Sequence, residues 1–592
     1  MRELVVTPSF SSGANSQLYL ASFSLRPNDL RKYIYGGLDY PICFESKCFD
    51  EKFRAELANH AEVLVDRLIE KKSKLFNELH KTNFSVRYWR ILLGPWVHQF
   101  VHQTILFDRI LQFAIGRIGS ETVLVQAISR AQWPQFQTTL DAITASKHDF
   151  FIQVLFSFIV KSRYRDKFVH RDVSFDSSSD DSSKIARESF ITFSRVILSK
   201  FILFISSKIR EDLLLASEVP ENKKIDFKLW WASNFRWVPD FITDRSYMGF
   251  KATTPRFFGE EITQTYDDFD LIDVAFDHFV PSVFVEHYDS FRSFAIGSVP
   301  MPAMRGVIGS TSWYYRERFK FIAAEVCESG GRSIGVQHGG NYGLQKNHPI
   351  LRREVLDRDV YITWGWTVVS ALNGLRAEIM ALPSLKLCGT RPRTKAHNSG
   401  NKILFAGSEM PRFPRWIGKD DFEIFRTRLM SQNQFFETLR IEFRMSCVFR
   451  GNPRQFGWGQ IDELNERFPE LTIDDHQYDF QAALDSTDVF CTNNLSTTYA
   501  EALYRNIPTV LFWRDSEITI EDDAADAFQL LRDAGVLLND GREAGTFLNS
   551  SMDNIAAWWW SDSIQDARRT FCARYLQASN TAVSDWLKTV QS

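Results

Sequence analysis

No apolar run in this sequence reaches the length of a membrane-spanning helix. The most apolar long window, Phe190 to Ser206, is interrupted by Arg195 and Lys200, whereas a spanning helix needs about 20 largely uncharged residues. A packed amphipathic helix is the first reading of this window. An interfacial helix, with aromatics and leucines beside two cations, is the second. Cysteine is scarce as well: seven residues, with no CxxC pair and no Cys/His metal spacing. That argues against a disulfide framework or zinc site and for a reducing, cytoplasmic setting. The opening MRELVVTPSFSS holds too short an apolar run for a secretory signal. An excess of either charge is also missing, 70 Lys and Arg standing against 73 Asp and Glu. No overall field draws in nucleic acid or a membrane, and no nucleic-acid partner is expected.

Apolar residues make up 44% of the chain, enough for more than one core. Helical spacing runs from Phe53 to Lys81 and again over residues 85–113, where Gly94-Pro95 predicts the start of a second helix. Helical patterning continues to Lys161, and DVSFDSSSDDSSK (172–184) then reads as a flexible loop. From Arg305 the period changes. GVIGS (306–310) and SIGVQ (333–337) read as strands around a helix at 312–329, and DVYITWGW (359–366) follows as another strand. Near the N-terminus only VVTPSF (5–10) suggests a strand.

GTRPRTKAHNSGN (389–401) has the composition of a linker. Beyond it, strands at 402–408, 444–450, 471–476, 488–492 and 508–513 alternate with helices. The expected fold class is α/β, with two Rossmann-like doubly wound domains and a helical elaboration in the N-terminal half. The expected boundaries are 1–388, with the helical insertion at about 100–240, the linker, and 402–592 ending in helices.

Two loops fall at carboxyl ends of strands, where ligands sit in such sheets. Neither has GxGxxG or GxxxxGK[ST], so dinucleotide and Walker-type sites are not indicated. In NNLSTTYAE (493–501), Asn494, Ser496, Thr497 and Thr498 bring polar side chains and backbone N–H groups to a helix start, which suits a diphosphate. Thr498 and Glu501 also have the T-x-x-E spacing of a capping box, leaving Ser496 and Thr497 as the stronger ligand candidates. Arg450, with Arg444 and Arg454, flanks a strand and offers guanidinium groups to phosphate or carboxylate.

In the other loop, His338 stands between Gln337 and the pair Gly339-Gly340, with Tyr342 following. Glycines there would let another molecule approach the backbone, and an imidazole in a cleft suits removal of a proton from an acceptor hydroxyl. A histidine held by backbone hydrogen bonds in a tight loop is the alternative. His98 and His102 share a helix face at i, i+4. Without the glutamate of HExxH or a third ligand close in sequence, they read as polar residues of an N-domain cleft. No metal and no cofactor are expected.

YWRILLGPWVHQF (88–100), GVQHGGNYG (335–343), YITWGW (361–366), CTNNLSTTYAEALYRNIPTVLFW (491–513) and IAAWWWS (555–561) resemble a family of bacterial transferases. That family is associated with surface-carbohydrate and O-antigen gene clusters of the leptospiral type. The resemblance implies a GT-B-like glycosyltransferase with a nucleotide-sugar donor, a glycan or lipid-linked glycan acceptor, and room for peripheral contact with the inner face of the cytoplasmic membrane. More distantly, the HG pair is similar to the HG motif of cytidine-diphosphate-glycerol glycerophosphotransferases, whose histidine is the base. The matching position is His338, although QHGG departs from that family's flank. On this reading transfer is inverting, with His338 as base, the hydroxyls at 496–498 and Arg450 on the donor phosphates, and Glu501 near the ribose. Asp108 and Glu286 are the reserve bases. A polyol-phosphate transferase using a CDP-activated donor and a non-catalytic nucleotide-sugar binding protein of a polysaccharide assembly complex are the competing readings.

Overall fold

Short, almost uniformly apolar strands such as LLLAS, VYIT, ILFA, VFCT and TVLF are buried along their whole length. That is the mark of parallel strands covered on both faces by crossover helices. The computed structural model describes residues 2–11, 16–173, 189–219, 222–241, 263–346, 348–395, 401–407, 409–418 and 422–591. Its named strands form three sheets, and their pairings are parallel.

The first sheet holds β1 (Arg2–Val5), β2 (Gln17–Ala21), β3 (Ile42–Phe44), β4 (Val123–Ile128) and β5 (Phe168–Val173) in the order β3-β2-β1-β4-β5. The second holds β6 (Leu213–Ser217), β7 (Trp237–Pro239), β8 (Met304–Gly309), β9 (Arg332–Val336), β10 (Val360–Thr363) and β11 (Glu378–Ala381), ordered β11-β10-β9-β8-β6-β7. The third holds β12 (Ile403–Ala406), β13 (Cys447–Arg450), β14 (Thr472–Ile473), β15 (Val489–Thr492), β16 (Thr509–Phe512) and β17 (Leu537–Leu538). Its order, β14-β13-β12-β15-β16-β17, is the 3-2-1-4-5-6 succession of dinucleotide-binding sheets, and the strand order reverses between β12 and β15.

The two Rossmann-like sheets expected on either side of residues 389–401 are present. Of the first sheet the sequence pattern suggests only a strand at 5–10, which falls instead at Arg2–Val5 with a 3-10 turn at Pro8–Phe10; the others go unseen because they are three to six residues long and lie far apart in sequence among long helices. The insertion expected to be helical also carries β4 to β7. Gly94-Pro95 does not start a new helix: Val86–Ile118 is continuous with Pro95 inside it. Burial of this helix on most faces outweighs the ~3 kcal/mol that an interior proline costs. The expected helix at 312–329 is split at Arg316, whose backbone is extended, into Ser312–Tyr315 and Glu317–Glu328. Of the expected loop 172–184, residues 174–184 lie outside the described residues, as do 396–400 of the linker.

Two packing features hold the second and third sheets together. One apolar core runs from Tyr342, Trp364 and Trp366 to Ala500, Trp513, Trp559 and Phe571. The last helix, Ala582–Gln591, crosses back to the second sheet, where Trp586 packs with Leu214, Trp237 and Val336. The end of the chain thus packs on the second sheet as well as following the third.

Candidate active site

A cavity of about 410 Å³ lies between the carboxyl ends of the second and third sheets. From the second sheet it is lined by His338, Gly339, Asn341 and Tyr342, which follow β9. From the third it is lined by Glu409 and Met410 after β12 and by Asn494 to Thr497 after β15, the two loops that flank the switch point. Arg428, on the helix Phe422–Thr438, adds a guanidinium to the polar lining. The two loops singled out in the sequence thus face one space.

They also touch. The Gly340 N–H donates to Thr497 Oγ1 at 3.2 Å, and the Tyr499 hydroxyl donates to the Gly340 carbonyl at 2.7 Å. A Cβ on Gly340 would lie 3.1 Å from Ala500 Cβ and 3.2 Å from Thr497 Cα. The close approach expected of another molecule is made by the chain's own helix Thr497–Tyr504. Gly343 meets a different need: its φ is +72°, and a Cβ would fall 2.4 Å from the Trp366 ring. Just beyond, Gln345 bridges to Ile520 and the Lys346 N–H donates to the Thr519 carbonyl at 3.0 Å, stitching the halves together again.

The helix start differs from the expected capping box. The N-cap is Ser496, whose Oγ accepts from the Thr498 N–H at 3.4 Å and lies 2.6 Å from Thr498 Oγ1. Ser496, expected to be free for a ligand, is the cap. Thr497 accepts from Gly340 while its own O–H remains a donor at the cavity wall. Glu501 is buried, lies 4.0 Å from Lys386 Nζ and does not line the cavity. Arg450 is likewise outside the lining, bound to Asp474 at 2.7 Å and to the Tyr478 carbonyl at 2.9 Å. Arg444 pairs with Glu470 at 2.5 Å. Asn494 lines the cavity, its amide donating to Thr492 Oγ1 at 2.7 Å and to the Ala406 carbonyl at 3.2 Å, while its buried Oδ1 has no hydrogen-bond partner among the described residues. An orphaned acceptor in a cavity wall is suited to a hydroxyl or N–H of a ligand.

His338 is backed by a buried network that the sequence does not reveal. The Tyr342 hydroxyl lies 3.1 Å from His338 Nε2 and 3.0 Å from Glu354 Oε1, and the Tyr361 hydroxyl donates to Glu354 Oε2 at 3.0 Å. Glu354 Oε1 stands 3.8 Å from His338 Nδ1. Burial pushes the Glu354 carboxyl up to about 8, although both tyrosine hydroxyls act the other way. Gln337 shapes the loop: it donates to the Gly339 carbonyl at 2.8 Å and accepts from Trp364 N–H and Trp366 Nε1–H, each at 2.9 Å. Gln337 does not line this cavity.

The raised Glu354 carboxyl makes stability depend on pH. The folded state holds a proton that the unfolded chain releases near the ordinary 4.5, so this contribution is complete below that value and is lost as pH rises through about 8. Glu354→Gln has no such proton to lose. Its thermal midpoint is expected to gain on that of the wild type as pH rises from 5 to 9, a trend that parallel melts would read directly.

Glu409 is the other functional candidate that sequence reasoning misses. Burial pushes its carboxyl up to about 7, against the opposing hydrogen bond from the Phe456 N–H, 3.0 Å from Oε1. The available signal is position: it follows the first strand of the third sheet by three residues, beside the switch point.

His98 and His102 do not line a cleft. They are 0% and 3% exposed, and the Trp416 ring centroid lies 4.8 Å from that of His98. A third group does join them: Glu62, on the helix Glu51–Leu79, lies 2.7 and 3.1 Å from their Nε2 atoms. Burial lowers His98 to about 4, leaving it neutral. Burial opposes ionisation of Glu62, but the two histidines and Arg353 together hold its carboxyl below the usual range. The Arg353 guanidinium supplies the compensating charge that a metal ion would, and it precedes Glu354 on the helix Leu351–Leu356. The reserve bases Asp108 and Glu286 do not line the cavity, Asp108 being bound by Arg109, Arg163 and Tyr164.

The sequence matches one described family, LIC12162 family transferase, over residues 31–590. No curated protein matches it. Solved structures similar to it include a variant of the wall teichoic acid polymerase TagF, at 10% identity over 68% of this chain and 96% of that one, with a TM-score of 0.33. Another is MnaA of S. aureus in a structure with UDP, at 10% identity over 63% and 94% of the two chains, with a TM-score of 0.35.

Proposed function

Because the chain belongs to the LIC12162 family of transferases, we propose that the cavity between the second and third sheets transfers a sugar from a nucleotide-activated donor to a surface-polysaccharide or O-antigen acceptor. The observation that carries this reading is the meeting of His338 with the switch-point loops of a 3-2-1-4-5-6 sheet around one 410 Å³ space. On the donor side, the Thr497 hydroxyl, the start of the helix Thr497–Tyr504 and the Arg428 guanidinium face the leaving diphosphate, with Asn494 Oδ1 accepting from a sugar or base N–H or O–H. Charge developing on the leaving phosphate is met by preorganised donors.

On the acceptor side, His338 takes the proton of the attacking hydroxyl, which reaches the anomeric carbon from the face opposite the leaving group and inverts it. The Glu354 carboxyl, neutral while the ring is neutral, lies 3.8 Å from the imidazolium that forms. The positive charge on the ring favours the ionised form of this carboxyl. A glycan held on a membrane lipid is an acceptor this arrangement admits, and it would place the protein peripherally at the inner membrane face.

The deciding experiment measures nucleotide release from UDP-, GDP-, dTDP- and CMP-sugars and from CDP-polyols, with the native surface glycan as acceptor. Acceptor-dependent release from one sugar donor supports the reading. Release from a CDP-polyol alone moves the assignment to polyol-phosphate transfer, and tight binding without release from any donor overturns catalysis. For the donor that binds, Thr497→Val is expected to weaken affinity by about 1.5–3 kcal/mol, the worth of a hydrogen bond to a charged group. Calorimetry reads that loss, and unchanged affinity would remove Thr497 from the donor site.

A further inference from the structure

Over residues 198–209 the helix Ser189–Ile209 is apolar on two opposite faces, and among the described residues only one of them is packed. Ile202 and Leu203 are buried, with Ser199 and Ser206 on either side of them in sequence. Across the helix axis, Phe201 and Phe204 are 57% and 62% exposed, flanked by Leu198 and Ile209 at 37% and 51%. An apolar second face is normally buried by a neighbouring element. The adjoining helix Lys223–Ala232 packs on the buried side of the first, its Trp230 Nε1–H donating to Ser206 Oγ at 2.9 Å, and its next residue, Trp231, is 71% exposed.

Among the described residues, lysines predominate around this patch. Lys200 and Lys208 on the first helix and Lys223, Lys224 and Lys228 on the second are exposed. The one acidic residue of the second helix, Asp226, is buried against Trp237. Beyond the end of the first helix, Glu211 is exposed, and Asp212 is occupied by Arg210 and Arg236. Aromatic rings amid lysines on helices that lie along the surface match the headgroup layer of an anionic bilayer, where rings enter the interface and ammonium groups pair with phosphates.

We propose that this two-helix face docks the protein on an anionic phospholipid surface, with Phe201, Phe204 and Trp231 entering the headgroup layer. The site deepens the reading of a membrane-borne acceptor and rests on it for its purpose. Its test, however, needs no turnover. Full-length protein is sedimented with vesicles of phosphatidylethanolamine containing phosphatidylglycerol, and with vesicles of phosphatidylcholine alone. The wild type is expected to pellet with the first and not the second. The double variant Phe201→Ser/Phe204→Ser is expected to partition ~10-fold more weakly, and Lys200→Glu/Lys208→Glu to show a similar loss.

All four residues are exposed, so circular dichroism should be unchanged. Wild type remaining in the supernatant, or both double variants pelleting as the wild type does, overturns the proposal. So does a dimer in sedimentation velocity that Phe201→Ser/Phe204→Ser dissociates without altering vesicle binding, since the face would then cover a second copy. Failure to bind vesicles leaves acceptor-dependent nucleotide release untouched, whereas absence of release from protein that does bind vesicles counts against the transferase reading alone.

Discussion

His338→Asn is expected to fold, to bind donor nearly as the wild type does, and to turn over about 10²- to 10⁴-fold more slowly, the usual loss on removing a positioned base. Asparagine keeps a hydrogen-bonding group beside Tyr342 and Glu354 but cannot accept a proton at neutral pH. The loss should fall on kcat and leave KM for donor within a few-fold, because the proposed donor contacts come from the third sheet. Glu354→Gln offers a separate check. It retains the contacts to Tyr342 and Tyr361 while removing the titrating partner, so it should alter the pH profile of turnover without abolishing turnover. Near-full activity in His338→Asn would reduce the histidine to a loop-shaping residue and leave Glu409, a carboxyl lining the same cavity from the third sheet, as the base to examine.

The largest effect on stability is expected at Asp240, remote from the chemistry. Its carboxylate accepts from Arg318 Nη1 at 2.7 and 2.8 Å, and the two side chains are 3% and 0% exposed. Arg318 lies on the helix Glu317–Glu328, which packs on β8 and β9, and β9 leads into the His338 loop. Asp240→Ala would take a counter-charge away from a buried guanidinium, at a cost of about 3–5 kcal/mol. The urea midpoint should fall by the corresponding amount. Adding Arg318→Met should recover much of the loss, because replacing both charges removes the uncompensated one. A single variant as stable as the wild type would mean that Arg318 finds other acceptors. Turnover per folded molecule should be unaffected, which separates this pair from His338.

The strands on either side of the linker are legible because each is a short apolar run followed by a turn, and the helices between them repeat every three to four residues. His338 and the 493–501 loop are legible for a related reason: glycines and hydroxyl side chains stand out directly after such runs. The first sheet is hidden because strands such as Ile42–Phe44 are too short to show a period. Glu354 is hidden because a carboxylate in LRREVL looks like any solvated helix residue. The cap falls two residues from where the T-x-x-E pattern puts it, since S-x-x-x and T-x-x-E patterns overlap in NNLSTTYAE and local spacing does not say where the chain enters the helix.

By itself, then, the sequence determined the succession of elements, the parallel α/β class of the two halves and the two loops proposed to carry the chemistry, because those follow from local periodicity and turn composition. Tertiary structure alone decided what those loops face. Gly340 is small for the sake of a helix some 160 residues away, Arg450 and Glu501 are taken by internal partners, and Glu354 stands behind His338 because the helix Leu351–Leu356 folds beneath it. Contacts between residues distant in sequence depend on how whole elements pack, and no short window of sequence encodes that.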